Sequence, residues 1–208
     1  MPVIDHARTA QPAEYRSDNH NKWSHPNRLY QRHLEIYLDR MFDYLTMTGA
    51  ERVLDAGCGE GIVYRAMRER GWRGQWTGFD FSGGAVRFAG NASSDASWVH
   101  GSAYHIPFAD KSFDLVFSSQ VLEHLPNPEG PLAEYRRVTS KWLLLSVPLE
   151  PYFRALTWLS VRFGIGGDPG HVNHWAPAAF RRFARRSGRI HTWDWTTIYQ
   201  IALIDVEE

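Results

Sequence analysis

The sequence predicts an α/β fold: a mostly parallel sheet with helices on both faces, preceded by a helical arm and closed by two adjacent strands. Three observations carry this. Strand-like and helix-like segments take turns from residue 52 to residue 148, the pattern of parallel strands joined by crossover helices. A glycine-rich turn, "AGCGEG", follows the first strand and opens a helix. After residue 176 the rhythm changes to one helix and then two strands in succession.

The elements follow in order. Residues 1–48 hold a polar arm and then an amphipathic helix, in which Leu34, Leu38, Met41, Phe42 and Leu45 recur at helical spacing until Gly49 stops it. Residues 49–148 form the core. "RVLDA", "QWTGFD", "SWVH", "SFDLVFSS" and "KWLLLSVP" read as five strands, separated by helices in "GIVYRAMRERG", "SGGAVRFAG", "QVLEHL" and "EGPLAEYRRVT". Residues 149–175 are a partly helical insertion after the fifth strand. Residues 176–208 give the helix "PAAFRRFARRSG" and the strands "RIHTWDWTT" and "YQIALIDV", the second read as alternating apolar and polar. No repeat or long linker divides the chain, so residues 1–208 read as one domain.

At 208 residues the chain suits one α/β domain, and 43% hydrophobic with 22% charged residues is ordinary for a soluble protein. The formal net charge is zero, and neither a basic stripe nor an "NPPY"-type motif is evident, so nucleic acid is not an expected partner. Cys58 is the only cysteine, which excludes an internal disulfide and makes a reducing cytoplasm the simplest home. The first residues lack the apolar stretch of a signal peptide, and no apolar run approaches the roughly 20 residues of a membrane span. Of nine tryptophans, Trp23, Trp158, Trp175 and Trp193 fall outside the central strands. They suit a pocket or lid over a flat or sugar-like ligand, or else they fill the core.

The turn after Asp55 poses the functional question. In a doubly wound sheet ligands bind beyond the C-terminal strand ends, where glycines let backbone approach them. A phosphate loop would need Lys-Ser or Lys-Thr after Gly61, and none follows. A dinucleotide fingerprint counted from Gly57 would need glycine at 62, where Ile62 stands; the glycines fall at 57, 59 and 61. Asp55 would repel a pyrophosphate and suit an ammonium group. Asp80, ending "TGFD", is a strand-tip carboxylate suited to a ribose diol. Together they describe a nucleoside bearing an amino acid, and S-adenosylmethionine fits. The plainer alternative is a turn that only packs a helix on a strand.

"VLDAGCGEG", "GFDFS", "GSAYHIPFADKSFDLVFSSQVLEHL" and "GHVNHW" resemble the class I S-adenosylmethionine-dependent methyltransferases, nearest the ubiquinone and menaquinone branch. A looser similarity is to the short sugar O-methyltransferases of actinobacterial polysaccharides. The resemblance implies a Rossmann-like seven-stranded sheet in the order 3-2-1-4-5-7-6, with the last strand antiparallel. It implies a cofactor site in which Gly57, Cys58, Gly59 and Gly61 form the loop beneath the cofactor and Asp55 lies near its methionine end. Asp80 then holds the ribose, Phe81 packs beside the adenine, and Ser102, Ala103 and Tyr104 border the adenine edge. Ser119 sits near the methyl. Ser102 departs from the family's usual aspartate. Arg28 resembles an arginine that some relatives place on the methionine carboxylate; an ordinary solvated helix arginine is the other reading.

Methyl transfer is an in-line displacement, so the acceptor must be held near the methyl, aligned and relieved of its proton. A neutral hydroxyl is a poor nucleophile and calls for a nearby base or metal. Glu123 and His124 follow the fourth strand, where similar quinone O-methyltransferases have a cation-binding "E-x-x-E-H"; here Gln120 replaces the first glutamate. His171 and His174 lie in "GHVNHW". One reading gathers Glu123, His124 and His171 around a divalent cation such as Mg²⁺; another makes a catalytic histidine, with Glu123 orienting it and His171 or His174 assisting. In a third, His124 packs a helix and His171 caps a loop. Asp114 reads as fixing the start of the fourth strand, and the insertion, with Tyr152, Phe153, Trp158 and Trp175, as a roof over the acceptor. The expected activity is O-methylation of a sugar, polysaccharide or glycolipid hydroxyl, with a quinone or phenol second. A non-catalytic binding module is the alternative of another class. The expected partners are a small-molecule or oligosaccharide acceptor and at most a second copy in a homodimer.

Overall fold

The computed structural model describes residues 28–162, 170–196 and 198–207, apart from a few side chains in the helices. The expected arm, including Trp23, and residues 163–169 of the insertion lie outside the described residues. The strands are β1 (Arg52–Ala56), β2 (Gln75–Asp80), β3 (Ser97–His100), β4 (Phe113–Ser119), β5 (Thr139–Pro148), β6 (Arg189–Thr196) and β7 (Tyr199–Asp205). The helices are α1 (Arg28–Met47), α2 (Ile62–Glu69), α3 (Gly83–Ala92), α4 (Glu129–Val138), α5 (Tyr152–Arg162) and α6 (Pro177–Ala184). One sheet forms in the order β3-β2-β1-β4-β5-β7-β6, as the resemblance implies. β1 to β5 are parallel, and β7 runs antiparallel between β5 and β6.

Periodicity explains which helix covers which face. On one face Leu38, Met41 and Leu45 of α1 and Tyr64 and Met67 of α2 pack with Trp72 and Trp76. On the other, Leu132 and Tyr135 of α4 meet Phe180 and Phe183 of α6 over Leu143, Leu145 and Val147 of β5. The starts of β1 and β4 are tied by Asp114. Its Oδ2 accepts the Arg52 and Glu51 N–H groups at 2.8 and 3.2 Å, and its Oδ1 accepts the Arg52 guanidinium at 2.6 Å. Burial works against that carboxylate, but the Arg52 bonds hold it below the usual range. The opposite, C-terminal ends of the strands are thereby brought level: Asp80 lies opposite His100, and Ser119 opposite Ser146.

Four expectations need correction. "QVLEHL" is not the start of a helix but a single 3₁₀ turn, Leu122–His124. Gln120 sits at φ 58°, and Pro126 and Pro128 follow, so no α-helical ladder can propagate. β7 does not alternate: it is buried at every position, because it lies between two strands with helices on both faces. Trp175 is not a roof but packs against Phe180 and Phe183 at 6.2 and 5.2 Å, as part of the core. Trp158 is 68% exposed on α5, facing solvent.

The insertion is closed at its base. The Glu150 N–H donates to the Trp175 carbonyl at 3.3 Å, and the fully buried Gln200 amide donates to the Pro148 and Trp175 carbonyls at 3.1 and 2.7 Å. No helix among the described residues is long and apolar enough to cross a membrane.

Candidate active site

The glycine turn is stitched to β2 rather than free. The Gly57 and Cys58 N–H groups both donate to the Phe79 carbonyl, at 2.7 and 3.1 Å. The Gly59 N–H donates to Asp80 Oδ2 at 2.8 Å, and the Ser82 N–H to Asp80 Oδ1 at 2.8 Å. Each carboxylate oxygen has a second lone pair, so Asp80 can hold the turn and still accept from a diol. Phe81, beside it, is 80% exposed, a bare ring for a planar base to cover.

All three turn glycines have positive φ: 93° at Gly57, 52° at Gly59 and 71° at Gly61. A side chain at Gly57 would run into Val121, and one at Gly61 would lie 2.5 Å from the Trp98 ring. The resemblance assigned both to close passage beneath a cofactor. The structure gives them a second reason, since protein packing fills the places their side chains would take.

Asp55, next to last in β1, is buried, and its Oδ2 makes no well-formed hydrogen bond among the described residues, although the Trp76 indole beside it favours the ionised form. Desolvation, then the charge of Asp80, pushes its pKa up to about 8. A buried carboxylate left with an unsatisfied oxygen is a fit for a cationic ligand group. Cys58 is also buried; its thiol is pushed up by desolvation and donates to the Gly59 carbonyl at 3.6 Å, so it is no nucleophile. Ser102 and Tyr104 are exposed, and the Tyr104 N–H donates to Ser102 Oγ at 3.3 Å. Ala103 packs against the α4–α6 core. Arg28 heads α1 in solvent.

Beyond the turn lies a cavity of about 90 Å³ between Leu34 and Tyr37 of α1, the Gly57–Glu60 turn, Ser119, His124 and Tyr199. Tyr37 and Ser119 share a hydrogen bond of 2.6 Å, and burial pushes the Tyr37 hydroxyl up, so it stays a phenol. Gln120 also lines the cavity, its side-chain amide donating to Ser146 Oγ at 2.9 Å and its N–H to the Ser146 carbonyl at 3.0 Å.

At the mouth Glu123, His124 and His171 meet, each offering a ligand atom, all within 4.8 Å of one another. Glu123 is fully buried, and the His124 and His171 rings are 4.8 Å apart, nearly perpendicular. Two features bring segments 47 residues apart together. The Val172 and Asn173 N–H groups donate to the Glu123 carbonyl at 2.9 and 3.0 Å, and the Asn173 amide donates to the Leu122 and Leu125 carbonyls at 3.1 and 2.6 Å. Phe153 of α5 then stacks on His171 at 5.0 Å. His174 does not join. It faces buried Glu150, Nδ1 to Oε1 at 3.2 Å, with its ring 6.4 Å from that of His171. In extended chain, residues three apart do not share a face. Asn173 and Tyr37 escaped the sequence reading, since only tertiary contact marks them, whereas Phe153 was expected over the acceptor and stacks on His171.

Two imidazoles and a carboxylate are a donor set for zinc or another first-row transition ion; Mg²⁺ prefers oxygen throughout, so this trio does not favour it.

A family described as "Methyltransferase domain" matches residues 54–142. The demethylmenaquinone methyltransferase of Thermobifida fusca is 34% identical over 117 residues, 52% of this chain and 50% of that protein. The malonyl-[acyl-carrier protein] O-methyltransferase of Serratia marcescens is 36% identical over 89 residues, 43% of this chain and 34% of that protein. The chain thus spans about a third to a half of the length of these curated relatives. Among solved structures, the magnesium protoporphyrin IX methyltransferase of Synechocystis PCC 6803 with bound SAH superposes with a TM-score of 0.68 at 18% identity, covering 86% of this chain and 87% of that one. The [4+2]-cyclase SpnF gives 0.68 at 18%, covering 85% and 82%. The family match falls on the β1-to-β5 segment that builds the cradle, so over residues 54–142 the chain is similar to the methyltransferase-domain family, and its sheet order is that of the Rossmann-like methyltransferase fold.

Proposed function

We propose that the protein transfers a methyl group from S-adenosylmethionine to an acceptor oxygen at the Glu123–His124–His171 mouth. The observation that carries this is the adjacency of two half-sites. The glycine turn that Asp80 holds and His124, which meets Glu123 and His171, line the same cavity. When bound, S-adenosylmethionine supplies an electrophilic methyl on a sulfonium.

The remaining work belongs to the chain. Asp55 receives the ammonium, Asp80 the ribose diol and Phe81 one face of the adenine. Ser119, fixed by Tyr37, borders the methyl end. His124 accepts the acceptor's proton on an imidazole nitrogen, and buried Glu123 beside it favours the imidazolium that results. His171, held by Phe153 and Asn173, orients the acceptor. A cation would be held by Glu123, His124 and His171, and would lower the acceptor's pKa in place of the base.

By name, the relatives act on a menaquinone precursor and on a malonylated carrier protein. The first favours a quinone-type acceptor without naming an oxygen, the second a carboxyl oxygen, and neither lends support to a sugar hydroxyl. A methyl-transfer screen across these classes, with mass spectrometry locating the added methyl, tests the reading. Absence of S-adenosylmethionine binding by calorimetry would overturn it. Metal analysis before and after chelation, with Zn²⁺ and Mg²⁺ add-back, separates base from cation.

A further inference from the structure

Gln120, just past the tip of β4, holds a backbone conformation that suits few side chains. Its φ of 58° lies in the left-handed region, where glycine would be at ease and glutamine is strained. Residues held in this way gather at functional sites, where their surroundings fix them. Here Ser146 of β5 does the fixing: its carbonyl accepts the Gln120 N–H at 3.0 Å, and its Oγ accepts the side-chain amide at 2.9 Å. The turn also sets Val121 against Gly57, where a side chain would collide with it. Gln120 thus shares one cavity lining with the glycine turn, Ser119 and His124.

The side-chain amide has one polar atom left for a ligand. An amide nitrogen donates and its oxygen accepts. The nitrogen is taken by Ser146, a fully buried residue. Oε1 accepts from no described residue and is not sealed in the core. The chain therefore offers a neutral acceptor oxygen at the cavity wall, one short 3₁₀ turn before His124.

We infer that Gln120 selects the acceptor: its Oε1 accepts a hydrogen bond from a second O–H or N–H carried beside the oxygen that is methylated. The inference rests on the methyl-transfer reading and deepens it by choosing between acceptor classes. His124 takes the proton of the reacting hydroxyl while Gln120 holds its neighbour, and two contacts align the nucleophile better than one. A ring with two adjacent hydroxyls satisfies both. A monophenol leaves Oε1 without a donor, and a carboxylate turns its lone pairs toward another oxygen. A site built to bond a donor group discriminates against analogues that lack it, because its own polar group is then stranded.

The test is calorimetry of catechol, phenol and malonate on the full chain saturated with S-adenosylhomocysteine, in the presence of a chelator. Wild type should bind catechol about five- to tenfold more tightly than phenol, the scale of one hydrogen bond, and malonate least. Gln120→Met keeps the length of the side chain and loses the oxygen. It should bring catechol down to the level of phenol, with phenol and S-adenosylhomocysteine affinities retained. Gln120→Glu keeps an acceptor oxygen and should keep the preference. Should Gln120→Met lose S-adenosylhomocysteine, Gln120→Asn takes its place, since asparagine tolerates the left-handed backbone and withdraws the oxygen by one methylene. Its preference should shrink in the same direction. Equal binding of catechol and phenol by wild type, no catechol binding, tighter binding of malonate, or a preference undiminished in the substituted chain each overturns the inference. Wild type that fails to bind S-adenosylhomocysteine would strike the methyl-transfer reading itself, and this inference with it.

Discussion

The donor cradle and the acceptor mouth lie side by side but are built on different plans. The cradle is local: Asp55, the glycine turn, Asp80 and Phe81 fall within 27 consecutive residues and are joined mainly by backbone hydrogen bonds to β2. The mouth is assembled from α1, the 3₁₀ turn after β4 and the segment after α5, with Asn173 as the clasp between the last two. A locally built site tolerates changes elsewhere, whereas a clasped one depends on each segment arriving. Variants should therefore separate the two halves.

The largest expected effect breaks the mouth alone. His124→Ala should lower turnover by about a hundredfold or more, the scale of a lost general base, with S-adenosylmethionine affinity nearly unchanged. His171→Ala should fall in the same direction. Unaltered turnover in both would remove the histidines from the chemistry.

The reciprocal variant is Asp80→Asn, which keeps an acceptor for one N–H and loses the charge. Donor affinity should drop by about tenfold, the loss of one charge-assisted hydrogen bond. Turnover at saturating donor should be largely retained. A kcat loss matching that of His124→Ala would mean that the two halves are not separable.

Asn173→Ala sharpens the role of the clasp. It removes the amide donor from the Leu125 carbonyl and leaves the Leu122 carbonyl only the Leu125 N–H at 3.3 Å, and should cost about 1–3 kcal/mol. Thermal unfolding measures that cost. Turnover should fall more than donor affinity, because the loosened turn carries His124.

The smallest effect is a pH trend in the cradle. Asp55 titrates near 8 in the free protein, mainly through desolvation and then through Asp80. Its pKa is higher folded than unfolded, so the folded chain holds the proton more tightly. Its contribution to stability therefore declines as pH rises from about 4 to about 8. Affinity for an ammonium-bearing donor moves the other way, rising with pH until about 8. Calorimetry at pH 7 in buffers of different ionisation enthalpy should show most of a proton released on binding, and Asp55→Asn should abolish both trends.

The same contrast decides what could be read from sequence. Strand limits at β1, β2 and β3 were legible to the residue, because turn glycines and buried runs are local signals. The pairing of His171 with Glu123 and His124 followed from chemistry, not from spacing. Trp175 was misread, since a tryptophan near a pocket and one in a core carry the same sequence signal. The 3₁₀ turn was misread because "QVLEHL" has helical propensity until the prolines at 126 and 128 are weighed. Tyr37 and Asn173 were invisible because their contacts span 82 and 51 residues.

The closed base of the insertion has an evolutionary consequence. Pro148 and Trp175 are bridged by one buried amide, that of Gln200, so the chain leaves the sheet and returns to it at nearly the same point. Entropy charges little for lengthening or exchanging a loop whose ends already meet. A lineage could therefore swap everything between those two residues, and with it the acceptor, while the methyl-donor cradle passes from enzyme to enzyme unaltered.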